Sequence, residues 1–335
     1  MDPLTHALAS FAATRTFFPR APREAVIAAV LAGTVADLDR LSGFLGPAAY
    51  FAAHRTYSHS VAAAVLIAAV AAGLSPFLFK KKESRGISVP QVLVIACLAS
   101  LLHLAMDLCQ SDGVALAWPF RGTRYALDWI GGLDPWILTA LLAGVLIPAL
   151  LRLVTEEIGA RSEGARGRAG AAFALLAVAA YTGGRGVLHS NARAALEART
   201  YRGESPRRAA AFAESFSIFE WRGIVETERA FYRVTVPAGP GMAFDPDAAA
   251  ASFKPEPSAV LDAARDSDAA RRFLAIARFP KATIEKTMDG FRCEFRDLRF
   301  AAAGETENAL AALVELSTDT KIRRSEIVWE RELPR

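Results

Sequence analysis

The chain has 335 residues, of which 53% are hydrophobic, with a mean hydropathy of +0.23 and a net charge of +4. So apolar a composition argues against a wholly soluble protein, and so modest a charge against a nucleic-acid binder. Three cysteines do not make a disulfide scaffold.

Residues 3–18 and 23–41 read as two apolar helices joined by "FFPRAPR". The start lacks the basic region, apolar core and small-residue cleavage site of a signal peptide. The first helix would be about 24 Å long, short for a full span, and is expected to tilt or be half-buried. "VADLDR" closes the second helix. "HRTYSHS" at 54–60 leads into a third, 58–79, with Ser58 as its expected N-cap and His54 in the loop before it. Its run "SVAAAVLIAAVAAGLSPFLF" carries no charge. Twenty helical residues span about 30 Å, the thickness of a hydrocarbon core. A fourth helix, 88–110, is apolar apart from Gln91, His103 and Asp107. Cys97 and Cys109 lie about 18 Å apart along its axis and cannot pair. Helices at 133–153 and 169–188 complete the set. The expectation is a mainly α fold: a polytopic transmembrane bundle of about five or six membrane helices.

Composition shifts near residue 190. Residues 191–215 read as an emergent helix and linker, and 216–335 as a small extramembrane α+β domain. Within it, "FSIFEWRGIVET" and "AFYRVTVPAG" are strand-like, 258–278 is helical, and Asp289-Gly290 is a hairpin turn. No histidine follows His189. This domain is expected to be a lid, a substrate-positioning surface or a partner-binding module.

Basic residues gather in alternate connections: Arg15, Arg20 and Arg23; "KKKESR" at 80–85; then Arg152, Arg161, Arg166 and Arg168. The positive-inside bias puts these in the cytoplasm, and the other ends, with the C-terminal domain, outside. His6, Asp37, Asp39, His54, His59, His103 and Asp107 then fall at the outer helix ends. Imidazole and carboxylate are the usual ligands of zinc, manganese and iron. An ionisable side chain inside a span is a functional candidate by default. His103 and Asp107, four apart, share a helix face. Asp37 and Asp39, two apart, would point about 200° apart on a regular helix, so one can ligate directly only if the helix ends there, and the other would then stand behind it or be structural. His54 and His59 need a turn between them for the same reason. A lone histidine at a helix lip is ordinarily solvated, and "DLD" is ordinarily turn chemistry. The convergence of four regions favours a metal site.

The ordered motifs "MDPLTHALAS", "ADLDR", "HRTYSHS", "HLAMDLCQSDG" and "WPF" resemble the YdjM/YbcI/YfhP-like family of predicted membrane-bound metal-dependent hydrolases, over roughly residues 1–190. The resemblance implies His6, Asp37, Asp39, His54, His59, His103 and Asp107 as the polar site. It also marks Arg55, Gly113, Trp118, Pro119 and Phe120 as motif positions. Asp112 departs from the pattern, standing where small or hydroxyl residues are usual. The mixed His/Asp set is more distantly similar to that of zinc-dependent phospholipase C and P1-type nucleases.

The expected function is therefore a membrane-bound metal-dependent hydrolase of the bacterial inner membrane, with its site and C-terminal domain extracytoplasmic. One or two divalent ions, zinc before manganese or iron, would activate a water against a lipid or lipid-linked substrate, first a phosphoester. Asp39 or Asp112 would be the base, and Arg55 would neutralise a phosphate. The alternative is a non-enzymatic membrane protein with a structural metal and a partner-binding outer domain. A transporter ranks last, because the ionisable residues gather at one end of the helices rather than at the midplane.

Overall fold

Asp2 accepts the backbone N–H of Thr5 at 2.9 Å, and this cap starts helix α1, Pro3–Phe17. Helix α2 is Arg23–Ala32, ten residues or about 15 Å. It stops at Gly33, where an added Cβ would lie 2.0 Å from Ser10 Oγ of α1. Only glycine permits that approach. The chain then tightens into an eleven-residue 3-10 helix, Val35–Leu45. The helix expected over 23–41 is thus two pieces of different pitch.

Helix α3 (Pro47–Ala53) leads to the 54–60 loop, and α4 is Val61–Leu78. Its cap is Ser60, whose Oγ accepts the Ala63 N–H at 3.1 Å, rather than the expected Ser58. Helix α5, Val89–Leu108, opens with a Ser88–Gln91 capping box. Helix α6, Pro135–Glu157, is capped by Asp134, and α7 runs Ala165–Glu197. The computed structural model describes residues 1–78, 88–157, 165–239, 241, 243–300 and 309–330, and the basic run 80–85 and Arg161 lie outside them.

Two helices are long and apolar enough to cross a membrane, Val89–Leu108 and Gly167–Glu197; Val61–Ser75 and Pro135–Leu151 are shorter apolar helices. Among the described residues, two candidate spans stand against the five or six expected. The shortfall lies in α1 and α2, which are too short, and equally in α4 and α6, whose apolar stretches Val61–Ser75 and Pro135–Leu151 are also short of a full span.

The chain forms two units: Met1–Arg40 with Ala53–Leu188 and Ala213–Ile218, and Leu41–Ala52 with His189–Phe212 and Phe219–Arg335. In the first, small side chains bring the helices close. Ala32, Ala68 and Ala96 of α2, α4 and α5 share one buried cluster. An added Cβ on Gly144 of α6 would meet Ala174 Cβ of α7 at 2.4 Å.

In the second unit, strands β1 (Arg208–Ala213), β2 (Glu220–Glu226), β3 (Ala230–Pro237) and β4 (Ala250–Phe253) form one sheet in that order. Strands β5 (Pro280–Thr287), β6 (Gly290–Asp297), β7 (Leu310–Ser317) and β8 (Ile322–Trp329) form another. The β2–β3–β4 and β5–β6–β7–β8 pairings are antiparallel. The helix expected over 258–278 is two, α8 (Ala259–Arg265) and α9 (Asp268–Leu274), because Ser267 caps the second. Leu261 and Phe273 from these helices pack with Cys293, Phe295, Val314 and Ile327 of the β5–β8 sheet. Residues 208–213, expected as linker, are strand β1. The hairpin between β5 and β6 is present, but its turn is Met288-Asp289, one residue earlier than expected: Gly290, at φ +152°, already pairs with Thr287 as the first residue of β6.

Candidate metal centre

Four side chains from three elements converge in the first unit. Helix α1 supplies His6, the 3-10 helix supplies Asp37, and the last turns of α5 supply His103 and Asp107. One ligand atom from each lies within 4.8 Å of every other, all four residues are buried, and together they could hold a metal ion. His6 Nε2 is 3.2 Å from Asp107 Oδ1, and 4.0 Å from Asp37 Oδ2. Both Asp37 oxygens, Asp107 Oδ2, His103 Nε2 and His6 Nδ1 are buried without a hydrogen-bond partner. Orphaned polar atoms of this kind are costly in a protein interior. A cation between them would satisfy the Asp37, Asp107 and His103 atoms, with His6 facing it through Nε2, and neutral imidazole with carboxylate is a fitting donor set.

The backbone fixes one of these rings. His103 Nδ1 donates to the Gly33 carbonyl at 2.9 Å, so its Nε2 lone pair faces the cluster. His59, from the loop before α4, is held the same way. Its Nδ1 lies 3.0 Å from Asp39 Oδ2 and 2.9 Å from Ser58 Oγ. Its Nε2 makes no hydrogen bond and sits 3.2 Å from Asp107 Oδ2 and 4.0 Å from Asp37 Oδ1. His59 therefore stands at the edge of the four-residue set, with a bare nitrogen toward it.

Asp39 lies behind this layer. It accepts the Arg55 backbone N–H at 2.7 Å and the Ser58 hydroxyl at 3.0 Å, and its Oδ1 is 3.1 Å from His54 Nδ1. His54 is joined to the site through Asp39 and is not in the four-residue set. Burial pushes the Asp39 carboxyl up, but hydrogen bonds from His54 and His59 outweigh it and hold the group far below the usual carboxylate range. Burial keeps the His54 imidazole below its ordinary value. For His59 burial lowers the value, and the neighbouring Asp107 and Asp39 carboxylates outweigh it and raise it.

Arg55 is buried, in a left-handed backbone conformation at φ +56°. Its guanidinium hydrogen-bonds Gln110 and lies 3.5 Å from Asp107 Oδ1 and 3.6 Å from the partly exposed Asp112. Arg124 pins the same loop by donating to the His54 carbonyl at 2.8 Å. Gln110 was not singled out from the sequence. It also accepts from the Met1 amino group at 2.9 Å and donates to the Gly131 carbonyl at 2.8 Å. Its place three residues after Asp107, one helical turn on, is the signal that finds it. The Met1 amino group hydrogen-bonds Asp107 as well.

Comparison with known proteins gives the setting. A family model described as YdjM inner membrane protein matches residues 1–192, which contain every residue of the cluster. A Bacillus subtilis (strain 168) protein described as uncharacterized protein YfhP is 23% identical over 311 residues, covering 91% of this chain and 86% of that one. No solved structure matches.

Proposed function

The chain belongs to the family of the YdjM inner membrane protein, and on that premise we propose that it is a membrane-bound metal-dependent hydrolase. The observation that carries the reading is the buried His6–Asp37–His103–Asp107 cluster with its unpartnered donor atoms. These four residues hold the ion, and His59 is the further nitrogen in reach. A divalent ion, zinc in the first instance, supplies Lewis acidity and a lowered pKa for water. Asp39, occupied on both oxygens, positions His54 and His59 rather than moving a proton. Asp112, the partly exposed carboxylate beside Arg55, is the candidate base. Arg55 neutralises a phosphate in the substrate, a lipid or lipid-linked phosphoester. The alternating basic connections in the sequence support an orientation with this end of the helices outside the inner membrane. A C-terminal alkaline phosphatase fusion reports that side directly by being active.

Detergent-purified protein is expected to carry stoichiometric zinc, manganese or iron by elemental analysis, and to release phosphate or headgroup from phospholipid. Asp107→Ala and His103→Ala lose both while still inserting in the membrane. Wild-type protein without stoichiometric metal, or an Asp107→Ala variant with wild-type metal and activity, rejects the reading.

One observation favours a second function. Four buried protein donors also suit a closed, structural site, in a protein whose C-terminal domain binds a partner. Cobalt substitution separates the two. A visible spectrum that changes on adding phosphate marks an open coordination position, and an unchanged one marks a closed site.

A further inference from the structure

Two imidazoles face the same two carboxylates, each from a different oxygen. His6 Nε2 stands 3.2 Å from Asp107 Oδ1 and 4.0 Å from Asp37 Oδ2. His59 Nε2 stands 3.2 Å from Asp107 Oδ2 and 4.0 Å from Asp37 Oδ1. Each carboxylate thus gives one oxygen to each ring, at matching distances. Two donors bound to one ion at about 2.0–2.1 Å stand roughly 3.4 Å apart at a tetrahedral angle. Both pairs of distances bracket that span. The four-residue set closes without His59. His103 belongs to that set, and its ring is nearer His6 than His59, with centroids 3.8 and 5.0 Å apart. Yet His59 is fully buried, and its Nε2, Asp37 Oδ1 and Asp107 Oδ2 all lack a hydrogen bond. Arg40 Nε lies 3.7 Å from Asp37 Oδ1 without bonding to it. Behind His59, Nδ1 is 3.0 Å from an Asp39 oxygen, and a metal-binding imidazole ordinarily has such an outer partner.

We propose that the chain holds a second divalent ion beside the first, with Asp37 and Asp107 bridging the pair and His59 as the nitrogen ligand of the second. The first ion takes His6, His103 and one oxygen from each carboxylate. The second takes His59 Nε2, Asp37 Oδ1 and Asp107 Oδ2. Four protein donors make a closed, structural site, and three leave a position open, as in catalytic sites. The two tasks therefore fall to different ions. The first ties α1, the 3-10 helix and α5 together, and the second, reached from the loop before α4, offers the free position. A bridged pair roughly 3.5–4 Å apart suits a phosphoester, whose attacking and leaving oxygens it can clamp. The second ion rests on the metal reading above. Its use on a phosphoester rests on the hydrolase reading as well.

Full-length protein in detergent is stripped with a chelator and titrated with manganese, and the bound ions are counted by elemental analysis after gel filtration. Wild-type protein is expected to saturate at two ions per chain. In electron paramagnetic resonance the hyperfine pattern of isolated manganese should collapse as the second ion enters, because bridged ions couple. Saturation at one ion, or two ions whose spectra stay independent, overturns the proposal, and neither readout needs a substitution. His59→Ala is expected to bind one ion per chain, with the isolated-manganese pattern restored and helix content by circular dichroism unchanged. Two coupled ions in that variant overturn the proposal, and so does the loss of both from a folded variant. Phospholipid hydrolysis measured on the same samples keeps the failures apart. One ion with hydrolysis removes the second site alone. Two coupled ions without hydrolysis of any phosphoester uphold the second site and remove the hydrolase. A chain that binds no metal overturns both.

Discussion

Asp39 takes hold of His54 and His59 by their Nδ1 atoms and so sets which way the His59 Nε2 points. Asparagine at this position keeps the shape but loses the charge and one acceptor oxygen. Outer partners of this kind are worth roughly 10–100-fold in metal affinity. Asp39→Asn is expected to fall in that range by competition against a chelating dye, with helix content unchanged. Wild-type affinity would show that Asp39 is merely part of a turn. The same residue marks the limit of what could be read in advance. His103 and Asp107 were legible, because a spacing of four on a long helix fixes one face. Asp37 and Asp39 were not separable. Two residues apart on a 3-10 helix they diverge by about 240°, and which of them turns inward depends on neighbours distant in sequence. The Gly33 carbonyl that orients His103 carries no signature at all, since every residue has one.

At the scale of elements, Asp134 is the counterpart of Asp39: an acid at the edge of an apolar run, but with a structural task. Its Oδ1 caps α6 through the Trp136 and Ile137 N–H groups, and its Oδ2 accepts the Tyr181 hydroxyl of α7 at 2.9 Å. Loss of a cap costs about 1 kcal/mol, and loss of a hydrogen bond to a charged group roughly 1.5–3 kcal/mol. Asp134→Ala should therefore destabilise the protein more than Tyr181→Phe in a denaturant titration, with metal content retained in both. Equal stability of all three proteins would mean that the α6–α7 pair is held by Gly144 and Ala174 alone. Helices such as α5 and α6 were legible from their apolar runs and capping residues. Boundaries failed where tertiary structure overrode local preference. Residues 208–213, "RAAAFA", have the alanine content of a helix, yet pair as an edge strand beside β2. Helix α2 ends early, at Gly33, where α1 comes close.

The whole molecule joins two units with different reasons to be stable. The first packs small residues around a polar cluster that could hold an ion, and it would gain stability from one bound there. An ion present at a thousand times its Kd adds about 4 kcal/mol. The second has an apolar core, with Phe273 of α9 set against Phe295 and Val314. Phe273→Ala there costs about 3–5 kcal/mol. Every member of the His/Asp cluster belongs to the first unit. Calorimetry in detergent should then show two transitions that move separately. Chelation lowers the first and leaves the second in place, whereas Phe273→Ala lowers the second and leaves the first. The segment Leu41–Ala52 makes this a sharp test. It belongs to the second unit, where Phe51 stacks on Phe273 with ring centroids 6.0 Å apart, yet it connects Asp39 to His54 along the chain. The Asp39–His54 hydrogen bond closes that excursion at its base, so a loosened Phe51 should not reach the ion. Metal affinity in Phe273→Ala is thus expected to match the wild type. A joint shift of both transitions, or a loss of affinity in that variant, would mean that the segment transmits strain from the β-sheet unit to the metal cluster.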